Sequence, residues 1–441
     1  MNYQHSKTTA NFLQRRYAIR LGRRYVSTAA SVIILGMGGC SKLDSINSSV
    51  AQALPLQRQE SPNYAQLTTP IVDQKVITAN TKFGFKLFSE ILKQGSSENI
   101  FISPTSVAIA LAMTYNGAKG ETQQAMAKTL ELQGISLPDI NSANAALIAA
   151  VQNLDDNVQL TIANSLWARQ GINFKPDFLQ RQNFYQAKIA NLDFKDPNAA
   201  NIINDWVNQS TEGKINQIVS QINPNDALFL INAIYFKGKW TQEFDKNQTT
   251  GQPFYLSAGR QKQHPLMSQS GEYRYYENEK FQAISLPYGG DRRLSLYVFL
   301  PHQNSNLTAF YQELNAQNWE TWMNSFRNRQ GSIRLPRFKM EYDLTLNDTL
   351  KALGMEVAFD PKADFSGIGE NLAISEVKHK TFVEVNEEGT EAAAATAVGV
   401  VLVSAIPQQP FQMNVDRPFF CAIRDNQTGT VLFMGSIVNP Q

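Results

Sequence analysis

The stretch from Glu387 to Ile406 constrains this chain more than any other. It reads Glu387-Glu388-Gly389-Thr390-Glu391-Ala392-Ala393-Ala394-Ala395-Thr396-Ala397-Val398-Gly399-Val400-Val401-Leu402-Val403-Ser404-Ala405-Ile406. A strand-like run, 382–385, precedes it, and another apolar run begins near Phe419. Connections of this length are rare in compact domains and are usually functional or disordered. The composition is not that of a disordered linker. Residues 398–406 are β-branched and apolar, with no polar alternation, which is strand composition; left exposed, such a strand invites edge-to-edge pairing. The preceding half is small. Thr390, Ala392, Ala394 and Thr396 share one face of any extended form, and small residues on one face suit a strand slid between two others over a packed core. Four alanines in a row also occur as a helix segment or low-complexity filler. Gly389, Gly399 and the β-branched continuation weigh against a helix. The segment suits two states, an exposed loop and an inserted strand.

The rest of the chain is that of an ordered body. Residues 79–92 place Phe83, Phe85, Leu87, Phe88, Ile91 and Leu92 near helical spacing, a second helix starts at Ser103-Pro104-Thr105-Ser106, and 199–218 reads as a third, amphipathic one. Strand-like runs cover 160–167, 227–236, 294–300, 332–336, 382–385 and 431–437. Helices early and long strands late argue for an α+β fold rather than a doubly wound sheet. Without a repeat or a compositional break after residue 77, 77–441 is expected to be one large domain.

The first forty residues differ in kind. Lys7, Arg15, Arg16, Arg20, Arg23 and Arg24 are there with no acidic residue, so the net charge of +2 splits into this basic leader and a remainder of 34 bases against 38 acids. A basic stretch, then the short apolar run 29–37, then Gly38-Gly39-Cys40 is the layout of an export signal. The run is about half of the ~20 residues a spanning helix needs. Gly38-Gly39-Cys40 resembles a bacterial lipobox, with Met37 where Leu is usual, and implies a lipid on Cys40; plain secretion with an incidental cysteine is the alternative. On this reading 1–39 is the signal peptide and 40–76 a flexible tether, and the product is exported, periplasmic or at the cell surface.

An enzyme finds little support. No HExxH, CxxC, GxSxG or GxxxxGK[ST] spacing occurs. Ser375-Glu376-Val377-Lys378 matches S-x-x-K but sits on an apparent strand with no Lys-Thr-Gly or Ser-Asp-Asn to accompany it. Two cysteines, Cys40 and Cys421, make neither a disulfide framework nor a zinc site. No metal or cofactor is expected, and the near-neutral charge gives no reason to expect nucleic acid.

Several motifs in order resemble the serpins. Glu387-Glu388-Gly389-Thr390-Glu391-Ala392-Ala393 is similar to the proximal hinge of an inhibitory member's reactive-centre loop. Asn99-Ile100-Phe101-Ile102-Ser103-Pro104-Thr105-Ser106 resembles the start of the family's second helix, and Asn116-Gly117-Ala118-Lys119-Gly120-Glu121-Thr122 the turn after it. Leu230 to Trp240, Asp416-Arg417-Pro418-Phe419-Phe420 and Phe433-Met434-Gly435 resemble a central strand of the large sheet and two C-terminal strands. The resemblance implies one domain with three β-sheets, eight or nine helices and an exposed loop able to enter the large sheet. It implies no enzyme but a monomeric suicide substrate of serine proteases: attack forms an acyl-enzyme, the cut loop inserts, and the stalled acyl-enzyme is the covalent complex.

Carried onto this sequence, the hinge is Glu388, Gly389, Thr390, Glu391, Ala392, Ala393, Ala394 and Ala395, and counting from Gly389 places the scissile bond at Val403–Ser404. Val403 would suit an elastase-like protease. Leu402 or Ile406, in a slipped register, would favour a chymotrypsin-like one. No Lys or Arg occurs from Glu391 through Val415, which argues against trypsin-like targets. Ser103, Ser106, Asn232 and His379 match the family's shutter, a buried polar cluster under the sheet, and Trp240 matches the breach where insertion begins; for all five the plain alternative is core packing. The competing function is a non-inhibitory serpin acting as a binding or chaperone-like module, against which the small residues Thr390, Ala392 and Ala394 argue.

Overall fold

The computed structural model describes residues 73–95, 97–152, 154–256, 259–390 and 409–441, all within the unit Ala65–Gln441. Cys40, the leader and most of the tether lie outside these residues.

Helix α1 (Gln74–Gly95) buries the apolar stripe read from the sequence, Phe83, Leu87, Phe88 and Ile91 among it. β1 (Ile100–Ile102) leads into α2 (Pro104–Tyr115), capped by the Ser103 hydroxyl, which accepts from Ser106 N, and started by a proline in its first turn. Every residue of α2 is buried, as befits a helix apolar all round and central to the core. α3 (Gly120–Thr129), α4 (Leu137–Gln152) and α5 (Pro176–Gln182) follow, with β2 (Val158–Arg169) and β3 (Lys188–Leu192) beside them.

The periodicity of 199–218 overshoots its helix. α6 (Ala199–Ser210) stops where Glu212 and Gly213 turn into the left-handed region, at φ 53° and 77°. Its return, 211–227, still buries Ile215, Ile218 and Val219 against the same sheet face as Ile203 and Val207.

From there strands dominate: β4 (Leu228–Lys239), β5 (Thr250–Tyr255), β6 (Gln261–Glu277), β7 (Phe281–Pro287) and β8 (Leu294–Pro301). After α7 (Leu307–Glu313) and α8 (Ala316–Ser325) come β9 (Arg327–Pro336) and β10 (Phe338–Thr345), then α9 (Asn347–Leu350) and β11 (Ile374–Val385). β12 (Gly389–Thr390), β13 (Phe411–Asn414), β14 (Phe419–Asp425) and β15 (Val431–Ile437) complete the chain.

The fold is the expected α+β, with nine α-helices among the described residues. The hydrogen-bonded sheets number two there rather than three, because β6, 17 residues long, pairs with β5, β7 and β9 and so joins nine strands in one ladder. The second sheet runs β10-β11-β4-β2-β3, with β12 paired to β4. One face of β4 packs Ile234 and Phe236 into the main core, and the other packs Phe229, Ile231, Ala233 and Tyr235 under α6 and its return.

Candidate functional site

β11 and β4 are neighbours that run parallel, from Ile374 opposite Leu228 to Phe382 opposite Tyr235, whereas their other partners, β10 and β2, are antiparallel. The chain leaves β11 and doubles back at once. Asn386 N donates to Gly389 O at 2.8 Å, Gly389 N to Asn386 O at 3.2 Å, and Glu388 N to Asn386 Oδ1 at 3.0 Å. Only glycine fits at 389: its φ is +139°, and a Cβ would lie 2.1 Å from Gly238 O. Reversed in this way, Gly389 and Thr390 pair antiparallel with Lys239 and Gly238 of β4. Gly389 and Thr390, the second and third residues of the segment read as the hinge, are already paired with β4.

Two carboxylates pin the turn. Glu387 is 1% exposed. Arg337 donates to its Oε2 from Nε (2.9 Å) and Nη2 (2.8 Å), and Thr249 donates to its Oε1 at 2.5 Å. Glu388 pairs with Lys246. The backbone is held too, since Phe244 N donates to Glu387 O at 2.8 Å and Trp240 N to Glu388 O at 3.0 Å.

Trp240 closes the upper end. Its ring stacks on Tyr288, with centres 4.4 Å apart at 11°, and its Nε1 donates to Asn386 O at 2.8 Å. The Tyr288 hydroxyl lies 3.2 Å from Thr390 Oγ1, and burial pushes its pKa up. Thr390 is wholly buried and faces the core.

Lower on the same face, the four expected polar residues meet. Ser103 N donates to His379 Nε2 at 3.0 Å, which leaves Nδ1–H to donate to Asn232 Oδ1 at 2.6 Å. The Asn232 amide donates to Ser106 Oγ and to Asn164 Oδ1, and Ser103 Oγ donates to Leu432 O at 2.6 Å. Burial holds the imidazole neutral, its pKa pushed down to about 3. His379 and Asn232 face each other across the seam, so their bond links the two strands that would have to part.

Of the residues read from the sequence, Glu388, Gly389 and Thr390 form the turn, Trp240 packs beside it, and Ser103, Ser106, Asn232 and His379 make one network. Glu391, Ala392, Ala393, Ala394, Ala395, Leu402, Val403, Ser404 and Ile406 lie outside the described residues, as does Cys40. Ser375 Oγ is an acceptor for Ala227 N at 2.7 Å, a structural bond. Sequence reasoning missed Arg337, Thr249, Tyr288 and Asn164. The Glu387-Glu388 pair was a signal for Arg337, because adjacent acids before a strand reversal need cations. Among the described residues no group of three or more His, Cys, Asp or Glu is placed to hold a metal.

Comparison with known proteins agrees with this geometry. The family model "Serpin (serine protease inhibitor)" matches residues 78–440. Human leukocyte elastase inhibitor is 35% identical over 383 residues, which cover 83% of this chain and 100% of that protein. An uncharacterized serpin-like protein of Thermococcus kodakarensis is 34% identical over 424 residues, 93% of this chain and 98% of its own length. Among solved structures, the thermophilic serpin tengpin in its native state superposes with a TM-score of 0.77 at 34% identity, covering 83% of this chain and 95% of that one. This chain belongs to the serpin family.

Proposed function

We propose that the protein is an inhibitory serpin, a suicide substrate that traps serine proteases of elastase-like or chymotrypsin-like specificity as acyl-enzymes. The carrying observation is the pairing of Gly389 and Thr390 with Lys239 and Gly238. Continued along β4, that register puts Ala392 opposite Phe236, Ala394 opposite Ile234, Thr396 opposite Asn232 and Val400 opposite Leu228, the first residue of β4. Thr390, Ala392, Ala394 and Thr396 would then point into the packed core, where small side chains fit. The incoming strand would be antiparallel to both neighbours. Val403, three residues beyond the end of β4, would leave an acyl-linked protease at the far pole of the sheet. The name of the human relative, leukocyte elastase inhibitor, agrees with an apolar Val403 as bait.

Mixing the chain with a pancreatic-type elastase tests this. A complex that survives boiling in detergent is expected, its mass the sum of the two chains less the released 404–441 peptide, with cleavage at Val403–Ser404 by mass spectrometry. Cleaved chain beside fully active protease would sink the reading.

Export with a lipid on Cys40 is part of the same proposal. Among the described residues no helix is long and apolar enough to cross a membrane, and on this reading the lipid holds the chain at the surface. Labelled palmitate should enter the wild type and not Cys40→Ser. Equal labelling, or none in either, would refute the anchor.

A further inference from the structure

The parallel ladder of β11 and β4 ends at one rung, Phe382 opposite Tyr235. Both strands continue beyond it, to Val385 and Lys239, so the sheet forks there, and β12 occupies the β4 side of the fork. The two rings at that rung lie on the outer face, 5.9 Å apart, and both are buried. Lys214, on the return after α6, places its ammonium 5.8 Å from the centre of Tyr235 and 6.0 Å from that of Phe382. Lys339 of β10 adds a second cation 5.3 Å from Phe382. Two residues down β11, Lys380 donates to Gln217 O of the same return at 2.6 Å and pairs with Glu341 and Asp343 of β10. Strands β10, β11 and β4 and the return are thus tied together at the height where the fork stops.

Aromatic pairs and cations over rings are weak contacts one by one. Their position gives them leverage, because a fork widens one rung at a time and this is the next rung. Parting Phe382 from Tyr235 breaks the ring contact and takes at least one ring from under Lys214. It also strains the return that Lys380 holds to β11. We propose that Tyr235, Phe382 and Lys214, backed by the Lys380–Gln217 bond, are a staple that holds the fork closed and sets how fast the sheet opens. This rests on the reading that the sheet admits the loop, and it adds the residues that time the event.

Amide hydrogen exchange on the full chain, without protease, tests it, since exchange of strand amides reports local opening. The variants are Phe382→Val, which removes a ring, and Lys214→Met, which removes the ammonium and keeps an unbranched apolar stem. In both, amides of 376–382 and 229–235 should exchange at least tenfold faster than in the wild type, while those of β14 and β15 keep their rates. Wild-type rates along the seam in either variant would overturn the staple. So would equal acceleration in β14 and β15, which would mean global loosening. Covalent complex formation is scored separately, so the staple can fail with inhibition intact, and inhibition can fail with the staple intact.

Discussion

Replacing Thr390 with arginine asks the sheet to take a charge at the third residue of the proposed hinge. Thr390 is wholly buried, sits opposite Gly238 and has the Tyr288 hydroxyl 3.2 Å away, beside the stacked Trp240 and Tyr288 rings. An inward guanidinium there would meet the Tyr288 hydroxyl and the stacked rings of Trp240 and Tyr288. An unpaired buried charge costs several kcal/mol. Taking about 4 kcal/mol, and one decade per 1.36 kcal/mol, a step that buries it slows roughly a thousandfold. The resting protein has an escape, because the hinge can withdraw from the two rungs that pair Gly389 and Thr390 with β4 among the described residues. Insertion has none. Thr390→Arg should therefore fold and be cut normally, while deacylation outruns insertion and the inhibitor becomes a substrate. The assay is titration of elastase with each protein, scored by residual activity and by the detergent-stable band. Withdrawal of the hinge is read as a red shift in tryptophan emission as Trp240 loses its cover. A variant that still forms stoichiometric complex, its emission unchanged, would refute the assignment of Thr390 to the leading rung.

Glu387→Gln keeps the shape and removes the charge that Arg337 grips twice. Because Arg337 is about half exposed and can rehydrate, the loss is put at roughly 2 kcal/mol, or about 3 °C in the thermal midpoint for a body of this size; an unchanged midpoint would mean the pair contributes nothing. Gly389→Ala would drive a Cβ to 2.1 Å from Gly238 O and should free β12 from β4, seen as loss of amide protection at 389–390, and retained protection would contradict it. Cys421 is fully buried and its thiol pKa pushed far up; in a Cys40→Ser background, iodoacetamide at pH 8 should modify it only after unfolding, and rapid labelling of the native protein would contradict that burial. His379 gives a pH dependence. The unfolded chain protonates this histidine near pH 6.5, the folded one only near pH 3, so acid favours the unfolded chain. The stability it contributes is complete above about pH 6.5 and declines as pH falls towards 3. Acid unfolding of His379→Gln should show a shallower slope across that window, and an identical slope would exclude the imidazole as its source.

The hinge was legible because its oddity is compositional: small residues then β-branched ones make poor filler and a poor exposed loop. Ser103, Ser106, Asn232 and His379 were singled out through the resemblance, and they meet in one hydrogen-bonded network. Residues paired over long sequence separations were not. Arg337 lies 50 residues from Glu387 and Thr249 lies 138, and nothing local marks a surface-looking glutamate as buried. The apparent strand at 375–378 and the run 382–385 were not joined into the single strand β11, because Glu376, Lys378 and Lys380 give its lower half a polar look, although Lys378 pairs with Glu376 and Lys380 is buried against β10 and the return. The overshoot of α6 has a related cause. Ile215, Ile218 and Val219 keep a helical period because the return covers the same apolar face, not because it is helical.

The proposed entry of a strand into this sheet rests on the direction of two others. β11 and β4 are the parallel neighbours at its centre, flanked by antiparallel ladders to β10 and β2. Parallel pairing is the weaker kind per residue, and a strand entering between these two is antiparallel to both, so each inserted residue replaces a share of a weaker ladder with shares of two stronger ones. The Asn386–Gly389 turn already gives the following segment that polarity. Beyond its backbone bonds the parallel ladder is held by the Phe382–Tyr235 contact outside and the His379–Asn232 bond inside, among other side-chain contacts. In the proposed register Thr396 arrives between His379 and Asn232, carrying a hydroxyl that can donate and accept, so the buried polar groups parted there need not be left unpaired. No such replacement exists on the outer face, where small residues 393 and 395 would pass the level of Phe382 and Lys380. The inner contact can be exchanged as the strand goes by, whereas the outer one must simply be given up, which is why the outer face is the place to look for the barrier.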